Sequence, residues 1–536
     1  MLKSIPLRSL PHYPSHLSSS PADSATDSRQ GLRSLAHISS DHRAALVAAI
    51  LPDLERWNAP AAAIDAAGRL SEEGSYAVVT GQQAGIATGP LYTLYKAIGA
   101  VREAEALGGQ YPGSSFVPVF WIEADDHDFE EIRTISVIDR TGVTRSVGYQ
   151  DNDPRPRHVG DRAVDATAFE EFLEALGQSV AETEFSRDAI ELLRHAYLGE
   201  SRSSQGHTLA DGFARALYAI LGETPLVVVC SRNPELKRLA SAAFVREAEN
   251  PDTLYQSLVS RTAELQKGGA QTPIAPKRGA LFLTHDGERR ALDATDGDDV
   301  AVRGATMRMT RQELVELARS TPESLSPNVA LRPIIQDAIL PTAIYLGGPS
   351  EVAYLDQVRD AYQLFAQEPP LTGPRPFVLL LEPKAARVVE ASRFSLEEIL
   401  QPDFNPAEAM IDPELDAAID ARHQSALERL QSAFGSFAEL AHTIDPTLEK
   451  SLGAATTGAA KGLEDFAKRL RSALRKREQT AVNRIEGARE LLLPAGDLQE
   501  RRLSPIYYIN KYGLATFRAA LARIDRAPGT MQVISI

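Results

Sequence analysis

The stretch YAVVTGQQAGIATGPLYTLYKA, residues 76–97, decides the fold class. Tyr76, Ala77, Val78 and Val79 read as an apolar strand, and a helix is expected over residues 91–107. Between them Gly81, Gly85 and Gly89 punctuate a polar loop, residues 80–90. Such a loop leaves backbone N–H groups free at a helix N-terminus, where they favour an anion or a carboxylate. The loop lacks the full GxGxxG spacing and has no Walker lysine, so neither dinucleotide nor P-loop binding is indicated. One strand later, Val117, Pro118, Val119, Phe120, Trp121 and Ile122 run into Glu123, Asp125, Asp126, His127, Asp128, Glu130 and Glu131. In open α/β sheets ligands bind beyond the C-terminal ends of strands, so the two polar clusters should face one crevice.

The alternation continues down the chain. Residues 226–230 are a short apolar run followed by Asn233 and Pro234, a cap and first turn. Residues 332–344 lead into YLGGPSEVAYL, 345–355, with Ser350 and Glu351 at a helix start, and 377–381 is one more buried strand. This is the pattern of a Rossmann-like α/β core with a parallel sheet. Two stretches near 134–163 and 268–304 carry hairpin and turn signals, among them Thr141-Gly142 and residues 152–156, and read as insertions into that core. A helix over residues 41–51 is expected to end or kink at Pro52.

Beyond residue 394 the character changes. Residues 415–444 and 448–493 are long, rich in Ala, Leu, Glu and Arg, and separated by Asp445-Pro446, except for which they lack proline. Leu463, Phe466, Leu470 and Ala473, resumed by Ala481, Ile485, Ala488 and Leu492, keep a three/four spacing. The expectation is a C-terminal antiparallel helical coiled-coil hairpin whose seam is made by Leu463, Phe466, Leu470, Ile485 and Leu492. Its remaining apolar surface should pack on a second copy or on the core. The domain reading is therefore a core over residues 1–393, the hairpin over 394–495, and a segment 496–536, containing PIYYINKYG, that returns to the core.

Composition bounds function. At 536 residues and 43% hydrophobic, the chain exceeds one ordinary core. A net charge of -15 argues against nucleic acid or an anionic membrane as partner. One cysteine, Cys230, excludes an intramolecular disulfide framework and fits a reducing compartment, the cytoplasm; at a strand end without a histidine partner it reads as an inert thiol. Leu2, Ile5, Leu7 and Leu10 are interrupted by Pro6, Pro11 and Pro14, so no export signal forms, and residues 18–30 read as a mobile surface segment.

Several residue types here carry chemistry. Gln82 and Gln83, with Thr80 and Thr88, can orient a ligand as donors and acceptors. His127 is the general-base candidate, with Asp126 or Asp128 as the carboxylate that orients it, because a histidine can take a proton from an amine near neutral pH. A metal site is disfavoured, since no second histidine stands at a recognised spacing. Tyr92 and Lys96, one turn apart, lean toward the crevice, and Gly347, Gly348 and Glu351 form a second wall. The basic run Lys468, Arg469, Arg471, Arg475, Lys476 and Arg477 reads as a solvated helix face, or, packed against the core, as a surface that meets a phosphate. Two other classes fit the same residues: a metal-dependent hydrolase using Asp125 to Asp128, and a non-catalytic assembly protein.

TGQQAGIATGPLYTLYKA (80–97), FWIEADDHDFEEI (120–132) and YYINKYG (507–513), in this order with a long helical hairpin before the last, resemble the BshC family. That family is assigned the cysteine-ligase step of bacillithiol biosynthesis. The resemblance implies a Rossmann-like core with connecting-peptide insertions, a coiled-coil domain and a homodimer. It also implies a ligase joining the cysteine carboxyl to the amine of glucosaminyl-malate, and marks Asn510 and Lys511 as substrate-binding candidates beside Gly81 and Gly89 of the loop. The chain departs from the family pattern at Glu123 and Asp125, where a small residue and a glutamate are expected, and at Glu382-Pro383-Lys384, where an arginine before proline is expected. HIGH-type and KMSKS signatures are absent, and no motif names the activating cofactor; ATP with Mg²⁺ is compatible with the chain but is not indicated by any motif.

Overall fold

Alternating β-branched and aromatic residues, buried on both faces, build a central parallel sheet in the computed structural model. The model describes residues 3–10, 38–151, 153–199, 207–295, 297–410, 413–526 and 529–536. The segment 18–30, with Leu2, Pro11, Pro14 and Asn152, lies outside the described residues. The sheet strands are Ser75–Gln83 (β1), Ser115–Glu123 (β2), Val227–Cys230 (β3), Thr342–Gly347 (β4) and Leu371–Pro374 (β5), in the order β5-β4-β1-β2-β3. Every neighbouring pair is parallel. Such a sheet needs cover on both faces, which explains the near-continuous apolar runs of β2 and β3.

The strand order reverses between β1 and β4, so a crevice opens at their C-terminal ends. Three helices border it: Tyr92–Gln110 (α1), Arg332–Ile339 (α2) and Pro349–Val358 (α3). Sequence reading missed β5, whose LTGP looks like a turn; at the sheet edge, proline and glycine are tolerated. Residues 377–381 do form a buried strand, but in a second sheet, parallel to Thr530–Ser535, which pairs with Lys3–Pro6. The first helix, Ser40–Arg56, runs through Pro52 instead of ending there. Asn233 caps Pro234–Leu239, accepting from Glu235 and Leu236 N–H, as its sequence position suggests.

Thr134–Ile138 and Thr144–Gly148 form an antiparallel hairpin. A five-stranded antiparallel sheet runs Arg308–Thr310, Asp299–Val302, Glu288–Ala294, Leu281–His285, Leu325–Pro327, reaching past the expected boundary at residue 304. Arg289 on Glu288–Ala294 and His158 tie this sheet to the end of β2. His158 bridges the Asp125 carbonyl at 2.7 Å and the Thr284 hydroxyl at 2.8 Å. Burial first, then Arg232, drop the His158 imidazole to about 4, so it serves as a neutral strut.

The chain divides into two compact units, residues 1–383 with 492–536, and residues 384–491. The second unit holds Pro413–Gly435 (α4), a short helix Ala438–Ile444, and the 45-residue Leu448–Leu492 (α5). The first expected helix is thus broken after Gly435, a residue that weakens helix continuation. Arg471 of α5 pairs with Asp420 and, at 3.8 Å, with Asp416 of α4, as an antiparallel coiled coil requires. The buried positions on α5 are Ala467, Leu474, Val482, Ile485, Ala488, Leu491 and Leu492. Of the residues expected in the seam, Ile485 and Leu492 are buried, Leu492 as part of the first unit, whereas Phe466 and Leu470 are exposed. The apolar spacing admitted two adjacent stripes, and the one through Ala467 faces inward. No helix among the described residues is long and apolar enough to cross a membrane.

Candidate active site

A cavity of about 410 Å³ sits where the strand order reverses. Gly81, Gln82 and Gln83 of β1, Tyr92 and Lys96 of α1, Trp121, Glu123 and Asp126 at the end of β2, and Gly348 and Glu351 at the start of α3 all line it. Arg289, Arg332, Arg375 and Arg501 complete a cationic wall, and Tyr345, Tyr354 and Glu131 add polar groups.

Its floor is a buried ion pair. Lys96 Nζ lies 2.5 Å from Glu351 Oε2 and donates to the Gly81 carbonyl at 2.7 Å and Gln82 Oε1 at 2.9 Å. Glu351 also accepts from Gly348 N at 2.8 Å, which caps α3, and from the Tyr345 hydroxyl at 3.1 Å. Burial pulls Lys96 below its ordinary pKa against the pull of Glu351. Burial pushes Glu351 upward, but Lys96 outweighs it and holds the carboxylate below its usual range. A Cβ at Gly347 would approach Glu351 Cβ to 2.8 Å, so glycine lets the carboxylate fold back over the strand end.

Above the floor, Gln82 Nε2 donates to the Tyr92 hydroxyl at 3.1 Å. Gln83 Nε2 donates to Asp126 Oδ2 at 3.1 Å and Glu131 Oε2 at 3.0 Å, joining the two sequence clusters directly. Arg332 donates to the neutral Tyr354 hydroxyl at 2.6 Å and Gln336 Oε1 at 3.0 Å, while its Nε stands 4.0 Å from Glu123 Oε2. Arg375 is held by a bidentate pair with Glu500, at 3.0 and 2.7 Å.

The acidic run after β2 separates into distinct roles. Burial pushes Asp125 upward, but Lys237 at 2.6 Å and Arg232 at 3.4 Å outweigh it, so Asp125 is held below the usual range as a structural anion. Asp126 is depressed by His127, whose backbone N–H donates to Oδ1 at 2.7 Å, with Arg289 contributing. Asp128 accepts from Glu131 N at 3.3 Å and caps Phe129–Ile132. His127 stands beside the cavity, its side chain 40% exposed, with Nδ1 accepting from Arg289 Nη1 at 3.1 Å. Arginine can only donate, so in this arrangement Nδ1 holds the lone pair and Nε2 carries the hydrogen. The ring therefore presents a donor to the solvent side, and its one basic nitrogen is engaged. Asp125 to Asp128 face four different sets of partners, which does not suit the shared metal that the hydrolase reading needs.

Other candidates lie outside the lining. The Thr80 hydroxyl donates to Leu346 O at 2.8 Å, tying β1 to β4. Thr88 and Gly89 belong to a turn with three successive positive φ angles, at Ala87, Thr88 and Gly89, held by the Tyr197 hydroxyl, which Ala87 N–H meets at 3.0 Å. Thr88 is buried in that turn, and Gly89 supplies the left-handed residue before Pro90. Asn510 donates to Ala181 O at 2.9 Å, and Lys511 pairs with buried Glu382, which also accepts from Tyr507 at 3.0 Å and Tyr512 at 2.8 Å. Cys230 is buried, and burial raises its thiol far above the reactive range. Sequence reading missed the arginines. The available signal was Arg332 in NVALRPIIQDAI, residues 328–339, a largely apolar run whose one other charge is Asp337.

A family described as "Bacillithiol biosynthesis BshC, N-terminal Rossmann-like domain" matches residues 19–376, and its C-terminal coiled-coil domain matches residues 378–536. The chain belongs to the BshC family. Similar BshC proteins, each described as "Putative cysteine ligase BshC", include one from Chloroherpeton thalassium, 31% identical across 83% of this chain and 80% of the relative. Another, from Salinibacter ruber, is 31% identical across 88% of this chain and 85% of its own, and one from Bacillus cytotoxicus is 26% identical across 87% and 86%.

Proposed function

We propose that this BshC protein is a cysteine ligase of bacillithiol biosynthesis, forming the amide between the cysteine carboxyl and the amine of glucosaminyl-malate. The observation that carries this reading is Arg332. It is an enclosed guanidinium on the cavity wall whose hydrogen bonds go to neutral Tyr354 and Gln336. A cation so placed is suited to a substrate carboxylate, and both cysteine and the malate group carry one. Gln82, Gln83 and Tyr92 supply neutral donors and acceptors for sugar hydroxyls, and Lys96 with Glu351 keeps them in position. Asp126 and His127 form the edge nearest the insertion sheet, with the imidazole Nε2 as donor.

The activity is assigned to the cytoplasm, which suits a chain with one buried thiol. A homodimer through the helical hairpin is part of the same reading, supported by the exposed Phe437, Leu440, Ile444 and Phe466. Calorimetric titration of glucosaminyl-malate into the protein tests the carboxylate role. Arg332→Gln is expected to weaken binding by roughly tenfold to a hundredfold, the loss of one charge-assisted pair at about 1.5–3 kcal/mol. Unchanged affinity would remove Arg332 from the substrate's path.

A further inference from the structure

We infer that Glu123 is the proton acceptor of this site, receiving the proton that the attacking amine loses as the amide bond forms. The inference rests on the ligase reading above.

Geometry singles it out. Glu123 is the last residue of β2, in register with Gln83 of β1, and it lines the cavity with its side chain 19% exposed. Three donors orient its carboxylate: Asp125 N at 3.2 Å and the Ser231 hydroxyl at 3.5 Å to Oε1, and Trp121 Nε1 at 3.3 Å to Oε2. A carboxylate offers about four lone-pair positions, so capacity remains on Oε2, which is also the oxygen facing Arg332 across 4.0 Å. A substrate carboxylate held by Arg332 would thus bring its neighbouring groups within reach of Glu123.

The competing bases are otherwise committed. His127 has its lone pair directed at Arg289, Asp126 is depressed and hence a poor base, and Glu351 is locked to Lys96. Four charged groups set the proton affinity of Glu123 besides its enclosure: Asp125 from the same loop, Arg332 from α2, Arg289 from the insertion sheet and Lys237 from Pro234–Leu239. Burial and then Asp125 raise it above the ordinary carboxylate range, against Arg332 and Arg289. This is the direction that makes a carboxylate a better base near neutral pH.

The step balances with one co-reactant, a nucleoside triphosphate that converts the cysteine carboxyl to an acyl phosphate or acyl adenylate. The free amine's lone pair attacks the carbonyl carbon and the C–N bond forms. The C–O bond to the phosphoryl group breaks, its electron pair leaving with that oxygen, and the amine proton passes to Glu123, which later releases it to solvent.

The test is steady-state kinetics of the full-length protein with cysteine, glucosaminyl-malate, nucleoside triphosphate and Mg²⁺, comparing wild type, Glu123→Gln and Glu123→Asp by product mass and thermal melting. Glu123→Gln is expected to melt like wild type, lower kcat by ~10²- to 10⁴-fold with KM nearly unchanged, and lose the acidic limb of the kcat profile. Glu123→Asp should recover part of the rate. A wild-type kcat and an unmoved acidic limb in a folded Glu123→Gln protein would overturn the inference alone. Absence of product from wild type would overturn it together with the ligase reading.

Discussion

Glu247 shows what burial does to a single carboxyl in this chain. It is 2% exposed, Oε1 accepts from Ala280 N at 3.2 Å, and Oε2 is buried without a partner among the described residues. Burial pushes its pKa up to about 8, so the folded protein holds a proton that the unfolded chain, near the ordinary carboxylate value of 4.5, has already released. A raised folded pKa contributes stability that is complete below about 4.5 and lost as pH rises through about 8. The loss is on the order of 4 kcal/mol. Urea unfolding from pH 5 to 9 should show stability falling across this window in wild type, and a much flatter profile in Glu247→Gln, whose amide carries no titrating proton. At this scale the sequence was partly legible. Gln82, Gln83 and Asp126 were identifiable because glycine spacing and a strand end announce them. The Lys96–Glu351 pair and the placement of Arg289, Arg332 and Arg501 were not, because they join segments far apart in sequence.

Elements carry their own constraints, and the two kinds of glycine in β1 and α1 separate them. A Cβ on Gly81 would stand 2.6 Å from the Trp121 carbonyl oxygen of the adjacent strand, a backbone atom that cannot swing aside. Gly81→Ala is expected to cost about 1–3 kcal/mol by denaturant unfolding, with Lys96 displaced from the Gly81 carbonyl. A Cβ on Gly108 of α1 would meet nothing within 4 Å beyond its own helix backbone and chain neighbours, so Gly108→Ala should instead add roughly 0.5–1 kcal/mol of helix stability. Equal effects from the two substitutions would contradict the close approach of β1 to β2. The strands and helices flanking the site were readable from apolar runs and caps, as Asn233 illustrates. What periodicity alone did not fix was the phase of α5, where Ala467 is buried and Phe466, one residue earlier, is exposed.

At the scale of the whole molecule, fold class and family membership followed from order: glycine loop, acidic strand end, insertions, long helices, and a tyrosine-rich return. The exposed apolar residues of the helical unit bear on assembly. Phe437, Leu440, Ile444 and Phe466 are 57–69% exposed, a costly arrangement for a lone hairpin in water. Full-length protein should sediment as a dimer at micromolar concentration, and deletion of residues 415–493 with a short linker should give a monomer that still binds glucosaminyl-malate. A full-length monomer under those conditions would show that the hairpin serves another purpose.

The central claim is the reaction itself, and mass spectrometry tests it most directly. Purified protein is incubated with cysteine and glucosaminyl-malate, with and without nucleoside triphosphate and Mg²⁺. The account predicts a product whose mass is the sum of the two substrates less one water, formed by wild type and strongly reduced in Arg332→Gln. Failure of the folded wild-type protein to form that product under any of these conditions, or equal yield from Arg332→Gln, would contradict it.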